Sequence, residues 1–272
     1  MRNVDCTAVK REVAALIERC LIEPDRAVTE KLENLNDTPL ATYAAKLIAE
    51  NNRIAQEKRV FACQDTGQAV LLVRLGDEVS CPGLRVALEQ AVVSAYTPAR
   101  KSVADPLTRL NTKDNAPPII EIELVSGDAL EISFLAKGAG SENMAKLYML
   151  KPADGEDGII SSIVDAVSIG GKNACPPLVI GVGIGGVAET ACMLSKRALL
   201  RPIGVHNTRD DAARLEKIAL EKVNELGIGV AAYGGKTTAL AVNIEVAPTH
   251  IGMLPVAVNL QCHSLRHGTV KL

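Results

Sequence analysis

The chain contains few aromatic residues and carries almost no net charge, and these two features exclude several classes of protein. Only 2% of its 272 residues are aromatic and none is tryptophan, so few side chains can stack against exposed bases. Acidic and basic residues nearly balance, with a formal net charge of −2, and no basic footprint for phosphates is visible. We therefore expect no binding to nucleic acid.

Long apolar runs and a targeting signal are also missing. The apolar run at 177–182 is far shorter than the ~20 residues that cross a bilayer, and the first residues lack the basic and then apolar pattern of a secretory signal. The seven cysteines are an odd number at irregular spacings, which is not typical of a disulfide framework. These features predict a soluble protein of the reducing cytoplasm, with no membrane segment.

The hydrophobic pattern favours an α+β fold, with a helical N-terminal segment followed by a mixed sheet and further helices. Residues 1–60 contain no glycine and show two apolar stripes of helical period, from Val9 to Ile17 and from Leu40 to Ile48. Strands are expected later in the chain without strict alternation with helices. We predict one domain over 1–272, with a possible helical subdomain at 1–60 and an α+β subdomain at 61–272.

Several later elements can be predicted with limits. Strands are expected at 69–75, 178–182, 240–246 and 256–260, and helices at 84–95, from about 187, and from a cap at Asn207 or Thr208 to Gly227. The runs 119–125 and 129–135 flank Ser126-Gly127-Asp128, which predicts a β-hairpin. The polar stretch 97–118 is too long for an idle connection, so we expect a functional loop there.

Three cysteines stand at glycine- or proline-marked junctions, where a metal could share a thiolate. Cys63 precedes Gln-Asp-Thr-Gly, Cys175 precedes two prolines, and Cys262 follows a strand and precedes histidine. The other four cysteines occupy positions that packing explains. Structural zinc usually has paired ligands such as C-x₂-C, which are absent, and the three spacings alone are a weak signal for an iron–sulfur cluster.

A glycine motif supports an alternative of another class. The sequence 181–186 reads Gly-Val-Gly-Ile-Gly-Gly, matches G-x-G-x-x-G, follows a predicted strand and precedes a predicted helix. This pattern is typical of an NAD-binding oxidoreductase. It comes late for the first unit of such a fold, and the next strand candidate, 202–205, has no acidic residue at its end for a ribose.

Taken together, several motifs resemble one family. The segments Cys63-Gln-Asp-Thr-Gly, Lys137-Gly-Ala-Gly-Ser-Glu-Asn, Cys175-Pro-Pro with the glycines at 183–186, and Pro248-Thr-His followed by Leu254-Pro-Val and Cys262 are similar to the class I fumarate hydratases. The match is to their cluster-bearing half, the α-subunit of two-subunit fumarate hydratases and L-tartrate dehydratases. It runs in the same order through nearly the whole chain.

The resemblance implies a [4Fe–4S] hydro-lyase that hydrates fumarate to L-malate, with L-tartrate dehydration as the alternative reaction. It implies that three cysteines bind the cluster and that one iron stays open for substrate. A non-catalytic cluster protein would instead need a fourth ligand. The implied residues are the metal ligands Cys63, Cys175 and Cys262, the catalytic residues Asp65 and His250, and the substrate-binding residues Gln64, Arg100, Gly138, Ala139 and Gly140.

The resemblance also bears on partners and on one departure from the family pattern. The family's full site uses residues of a second domain, so a separate β-subunit is expected to complete the site, in an α2β2 assembly or an α-dimer. The glycines at 181–186 are expected to pack a strand–helix turn near Cys175. Ala139 stands where the family usually has glycine, and its methyl group is expected to constrain the loop.

Overall fold

Two compact units make up the chain, and the computed structural model describes all 272 residues. Unit 1 comprises Met1–Asp25, Asn52–Ala139 and Arg266–Leu272, and unit 2 comprises Arg26–Asn51 and Gly140–Leu265. Each contains helices and a four-stranded sheet, so the predicted α+β class is confirmed. The units interleave along the chain and do not divide at residue 60, while the assignment of 1–272 to one domain stays a prediction.

The elements follow in chain order. The helices are α1 (Cys6–Ile22), α2 (Arg26–Glu33), α3 (Pro39–Lys58), α4 (Leu84–Ala95), α5 (Ala139–Glu142), α6 (Gly155–Gly170), α7 (Ala188–Ala198) and α8 (Asp210–Asn224). The strands are β1 (Arg2–Asn3), β2 (Gln68–Gly76), β3 (Val79–Ser80), β4 (Ile119–Val125), β5 (Leu130–Lys137), β6 (Lys146–Leu150), β7 (Leu178–Gly186), β8 (Ala239–Thr249), β9 (Leu254–Gln261) and β10 (His267–Lys271). None of the helices combines the length and the apolar character needed to cross a membrane.

Unit 1 is built on a sheet of order β10-β5-β2-β4, against which α1 and α4 pack. The predicted stripe of α1 is confirmed, because Val9, Val13 and Ile17 are fully buried in this core. Alternate residues of β2, including Leu71 and Val73, face the same core, as the two-residue period of a strand requires. The core therefore fixes the end of β2 that follows Cys63.

The predicted hairpin of β4 and β5 is wrong in its pairing, although both strands exist. Strand β2 lies between them, parallel to β4 and antiparallel to β5. The connection after β4 crosses the end of β2 at Gly76, where an added Cβ would lie 2.1 Å from the carbonyl oxygen of Gly127. Gly76 also donates to the carbonyl of Ala129 at 2.7 Å. The glycine at the end of β2 leaves room for this crossing, which sequence pattern alone does not reveal.

Unit 2 is a three-layer structure with sheet order β6-β9-β7-β8. Ile180 and Val182 of β7 face a core shared with α6 and α8. The opposite face of β7 carries Gly181 and Gly183, and an added Cβ on either would come within 2.0 Å of a carbonyl oxygen of α7. The glycines therefore allow the backbone of α7 to lie directly on the central strand.

The predicted stripe on α3 is wrong for its large side chains, although Ala44 of that stripe is buried. Leu40 and Tyr43 are 51% and 61% exposed, whereas Ala41, Ala45 and Ala49 are buried. These alanines recur every four residues, so they form one ridge of the helix, and their small side chains permit close packing. Hydrophobicity predicted that the larger side chains are buried, because it contains no information on how closely a neighbouring element packs against the helix.

The remaining predicted elements agree with the structure, with one correction. Helix α4 has the predicted limits, and α8 is present with Asp210 and Asp211 in its first turn. Its N-cap is Arg209, without a side-chain cap, so the predicted cap at Asn207 or Thr208 is wrong. Asn207 instead accepts a hydrogen bond from the backbone N–H of Arg209 at 2.9 Å, one step before the helix begins.

Candidate active site

In unit 1, a tight turn follows Cys63 and leads into β2. Asp65 accepts two backbone hydrogen bonds, at Oδ1 from Gly67 (3.0 Å) and at Oδ2 from Ala139 (2.8 Å). Gly67 has a φ of 73°, and an added Cβ would lie 3.0 Å from the backbone of β5, so the turn requires glycine. The carboxylate of Asp65 thus ties this turn to the start of α5, while Gln64 is exposed.

Two buried side chains donate hydrogen bonds to the backbone of this turn. Arg266 is 1% exposed and donates from Nη1 to the carbonyl of Asp65 at 2.8 Å, while its Nε has no hydrogen-bond partner. Tyr96, also buried, donates to the carbonyl of Thr66 at 3.3 Å, and burial raises its pKa so that it stays a neutral donor. An added Cβ on Gly138 would lie 3.0 Å from Asp65 Oδ2 and 3.9 Å from Arg266 Nη2. Gly138 is therefore needed for this close approach.

The loop that carries Arg100 is fastened to the same turn. The carbonyl of Arg100 accepts from Thr66 Oγ1 at 3.1 Å and from Asn115 Nδ2 at 3.0 Å. Ser102 Oγ also lies 3.1 Å from Thr66 Oγ1. The side chain of Arg100 is exposed. Unit 1 therefore ties the loop that carries Arg100 to the turn that carries Asp65, while the roles of these residues stay a prediction.

The effect of the methyl group of Ala139 on the loop stays a prediction. Ala139 is the first residue of α5 and is absent from the residues with positive φ, so an L residue adopts its backbone angles without strain. Its N–H, however, is committed to Asp65. Gly140 begins the following segment of unit 2, where an added Cβ would lie 3.4 Å from the carbonyl oxygen of Asn173, two residues before Cys175.

In unit 2, Cys175 and Cys262 lie at the same end of the sheet. Cys175 precedes β7 and Cys262 follows β9, and these strands are antiparallel, with Val179 opposite Gln261. The backbone N–H of His263 donates to the carbonyl of Cys175 at 3.2 Å. Cys175 is exposed with a φ of 54°, and Cys262 is half-buried. The two predicted ligands therefore come from neighbouring backbone segments.

His250 lies at the opposite end of that sheet. It follows β8 and precedes β9, and the hydroxyl of Thr249 beside it donates to the carbonyl of Gly186 at the far end of β7. Its Nδ1 accepts from the backbone of Gly252 at 3.0 Å, and the residue is exposed. The eight residues of β9 cover about 25 Å at the usual strand rise. The structure does not bring His250 together with Cys175 or Cys262 of the same chain.

The glycine motif at 181–186 lies within β7, and only its last two glycines, Gly185 and Gly186 with positive φ, form the predicted turn into α7. A dinucleotide motif holds its first glycines in the turn between strand and helix, where the backbone approaches a pyrophosphate. Here Gly181 and Gly183 lie in mid-strand and accommodate α7. The N-terminus of α7 is also at the end of β7 away from Cys175, so the predicted position of these glycines beside that cysteine is wrong.

The donors present fit an iron–sulfur cluster in type. All seven cysteines are free thiols, and Cys63, Cys175 and Cys262 all sit in short turns next to strands. Within neither unit does a group of three or more His, Cys, Asp or Glu side chains gather around a metal position. Thiolate sulfur is the usual protein ligand of these clusters, and no pair of the zinc type is present.

Arg266 and Tyr96 were not identified by sequence reasoning. A buried arginine has no sequence signature of its own, since arginine is mostly exposed in proteins. The only sequence signal is the position of Arg266, four residues after Cys262, at the start of the segment that returns to unit 1. A search for charged residues next to the predicted ligands would have found it.

Comparison with known proteins identifies the relatives of the chain. Residues 10–271 match the family model described as fumarate hydratase (Fumerase). A Methanocaldococcus jannaschii protein named "Putative L(+)-tartrate dehydratase subunit alpha" is 38% identical over 262 residues, which is 93% of this chain and 92% of that protein. The L(+)-tartrate dehydratase subunit alpha of Escherichia coli K12 is 32% identical over 255 residues, 89% of this chain and 84% of its own length. The chain therefore belongs to the class I fumarate hydratase family.

Proposed function

We propose that the chain is the α-subunit of a [4Fe–4S]-dependent hydro-lyase that reversibly hydrates fumarate to L-malate. The observation that carries this proposal is the family match, which covers residues 10–271 and therefore includes every predicted site residue. The chain geometry supports it in two places. In unit 1, hydrogen bonds join Thr66, which follows Asp65 directly, to the carbonyl of Arg100, and Asp65 to Ala139. In unit 2, the N–H of His263, which follows Cys262, donates to the carbonyl of Cys175.

In this proposal Cys63, Cys175 and Cys262 would hold the cluster, which would supply Lewis-acid chemistry for the hydroxyl group that leaves or adds. The guanidinium of Arg100 binds one substrate carboxylate, for which its planar pair of donors is suited. Gly140 lies in the first turn of α5, where backbone N–H groups have no intrahelical acceptor, and so offers an N–H to the second carboxylate.

Asp65 is the group of this chain that moves the proton at the substrate carbon. In dehydration the C–H and C–O bonds break, a C=C bond forms, and water leaves. Two backbone N–H groups fix the orientation of the carboxylate, which still has lone pairs to accept a proton. Gln64, exposed one residue earlier, contributes polar contacts to the substrate.

A catalytic role for His250 requires a second copy of the chain. The length of β9 separates it from the Cys175 end of its own sheet, so only another copy can present it there. An α-dimer, alone or within an α2β2 assembly, provides such a copy. A β-subunit is also proposed, because the relatives are named as α-subunits. The free thiols are consistent with the cytoplasm.

Dehydration of L-tartrate to oxaloacetate is the second candidate reaction. It is favoured by the names of the relatives, which are 32–38% identical to this chain. Tartrate differs from malate by one hydroxyl group, so the contacts that separate them must involve the second carbon. Parallel assays of malate and tartrate with the same α and β preparation decide between them by the ratio of kcat/KM.

The first experiment is EPR spectroscopy of the anaerobically iron- and sulfide-reconstituted chain after mild oxidation. A [3Fe–4S] signal, formed by loss of one labile iron, is expected in the wild type and in the control Cys192→Ser, which changes a half-buried cysteine of α7. It should be lost in Cys63→Ser. A wild type without a cluster, or a Cys63→Ser variant with an unchanged signal, would refute the assignment.

A further inference from the structure

Outside the candidate active site, two cysteines of unit 1 lie in direct contact. The Sγ atoms of Cys6 and Cys81 are 3.0 Å apart, although 75 positions separate them in the sequence. A disulfide bond is about 2.05 Å long, so the two sulfur atoms need to approach by about 1 Å to form one. None of the proposed steps of hydration uses either thiol.

The backbone holds both cysteines at the end of one short ladder. Strand β1 pairs with β3 in parallel, with Asn3 opposite Ser80, and the N–H of Val4 donates to the carbonyl of Ser80 at 2.9 Å. Cys81 directly follows Ser80, and Cys6 is the first residue of α1. The two segments run side by side, which fixes the distance between the thiols.

The environment of the pair permits chemistry. Both residues are partly exposed, and a groove of about 440 Å³ between α1 and α4 is lined by Cys6, Lys10, Gly83 and Gln90, which gives small reagents access to Cys6. Cys6 Sγ lies 2.9 Å from the carbonyl of Pro82. Burial, together with the hydrogen bond to the Cys6 thiol, raises the pKa of Cys81 to about 12, so the first attack falls to Cys6.

We propose that Cys6 and Cys81 form a thiol-pair modification site, which a hydroperoxide oxidises to a disulfide. Cys6 sulfur attacks the peroxide, the O–O bond breaks, and a sulfenic acid forms as the first water or alcohol leaves. Cys81 sulfur then attacks the sulfur of Cys6, the S–O bond breaks, and a second water leaves with the remaining thiol proton. Both thiols are oxidised and one peroxide is reduced.

The disulfide would cross-link the N-terminus of α1 to the turn that precedes α4. The two cysteines are 75 positions apart, so this closes a long loop, and such closure reduces the freedom of the unfolded chain. The reduced pair depends on the two-residue ladder of β1 and β3 for its alignment. The oxidised chain should therefore resist denaturant better than the reduced chain.

The test treats the full-length reduced chain with hydrogen peroxide and maps its cysteines by mass spectrometry after alkylation. We expect a linked peptide that contains Cys6 and Cys81, with the loss of two hydrogen atoms, reversed by a thiol reductant and absent in Cys6→Ser and Cys81→Ser. Cys20 provides an internal control, since it is 3% exposed, and burial raises its pKa to about 12. Cys20 should escape oxidation by the peroxide, so it should be fully alkylated once the chain is denatured in the alkylating reagent.

Three outcomes would overturn the proposal. In the first, Cys6 and Cys81 stay free thiols although the peroxide oxidises Cys192. In the second, Cys6 is oxidised to a sulfinic acid and no disulfide to Cys81 forms. In the third, Cys6 forms disulfides with several cysteines at similar rates. A denaturation midpoint that rises on oxidation in the wild type and not in Cys81→Ala would support the cross-link independently. Because this mapping does not depend on cluster content or hydration activity, its result is separate from the proposed function.

Discussion

Replacing Arg266 by methionine tests whether this buried guanidinium positions the turn that carries Gln64 and Asp65. The arginine gives Asp65 one charge-assisted hydrogen bond at 2.8 Å, and such a bond contributes about 1.5–3 kcal/mol. Its Nε is buried without a partner, which costs about 1–3 kcal/mol in the native protein. Methionine removes the bond and this cost together, and because the two ranges largely offset, we expect the free energy of unfolding to fall by no more than about 1 kcal/mol.

The local effect should be larger than the global one. Loss of about 1–2 kcal/mol at the turn corresponds to a 5- to 30-fold fall in the hydrogen-exchange protection of the Gly67 amide, which Asp65 holds. In the assembled enzyme a displacement of about 1 Å at Gln64 and Asp65 would lower kcat by about 10²-fold. We expect KM to change less, because Arg100 is fastened through Thr66 rather than through Arg266.

A matched control is Arg201→Met in unit 2. Arg201 pairs with Glu216, which is 1% exposed and also accepts hydrogen bonds from the backbone of Asn207 and Ile244. Removing the arginine takes its ion pair from this buried carboxylate and should cost about 3–5 kcal/mol. This variant should unfold more easily than Arg266→Met without selective loss of protection at Gly67. Two results would refute the positioning role of Arg266. One is an unchanged rate of hydrogen exchange at the Gly67 amide in Arg266→Met, and the other is a loss of protection at Gly67 that, in both variants, only matches the loss of global stability.

Three further predictions concern unit 2. Burial raises the pKa of Asp37, but hydrogen bonds from the backbone of Lys236 and neighbouring residues outweigh it, so the pKa is lowered. The stability lost in Asp37→Asn should therefore be largest at neutral pH and vanish as the pH falls through that pKa. Unfolding curves at several pH values would check this, and a difference that stays constant with pH would contradict it. Gly183→Ala should destabilise the chain by about 3 kcal/mol or more, since its Cβ would lie 2.0 Å from a backbone oxygen of α7, and a smaller loss in denaturant titration would show that α7 shifts easily. His250→Asn and Cys175→Ser chains, each inactive alone, should recover about a quarter of wild-type activity when co-expressed. About half of randomly formed dimers are mixed, and one site of each mixed dimer combines an intact Cys175 with an intact His250 from the other copy. No recovery would mean that His250 does not act across copies.

Local patterns predicted the elements, because their signals lie within each segment. The limits of α4 and the buried stripe of α1 follow from helical periodicity, and both agree with the structure. Pairing was harder to predict. Whether β4 contacts β5 depends on β2, which precedes both in sequence and inserts between them, and only the glycine at position 76 indicates the crossing.

The same limit applies to the candidate site. The local settings of Cys63, Cys175 and Cys262 drew attention to them, yet the proximity of Cys175 to Cys262 follows from the antiparallel pairing of β7 with β9. The position of His250 follows from that pairing as well. The resemblance supplied the roles of these residues but not their arrangement, since an ordered set of motifs does not state which end of a sheet each motif occupies.

Asp65 shows why a structural and a catalytic interpretation of one residue need not compete. Its two carboxylate oxygens accept N–H groups from Gly67 and Ala139, as a turn-forming aspartate does. An ionised carboxylate has about four lone-pair sites, so about two stay available for a proton. Asp65→Asn would remove the base and also one tether, because an amide nitrogen cannot accept an N–H, and its loss of activity alone would not separate the two roles. Arg266→Met loosens the same turn while leaving the carboxylate in place, so the ratio of the two losses of kcat measures how much of the contribution of Asp65 is proton transfer.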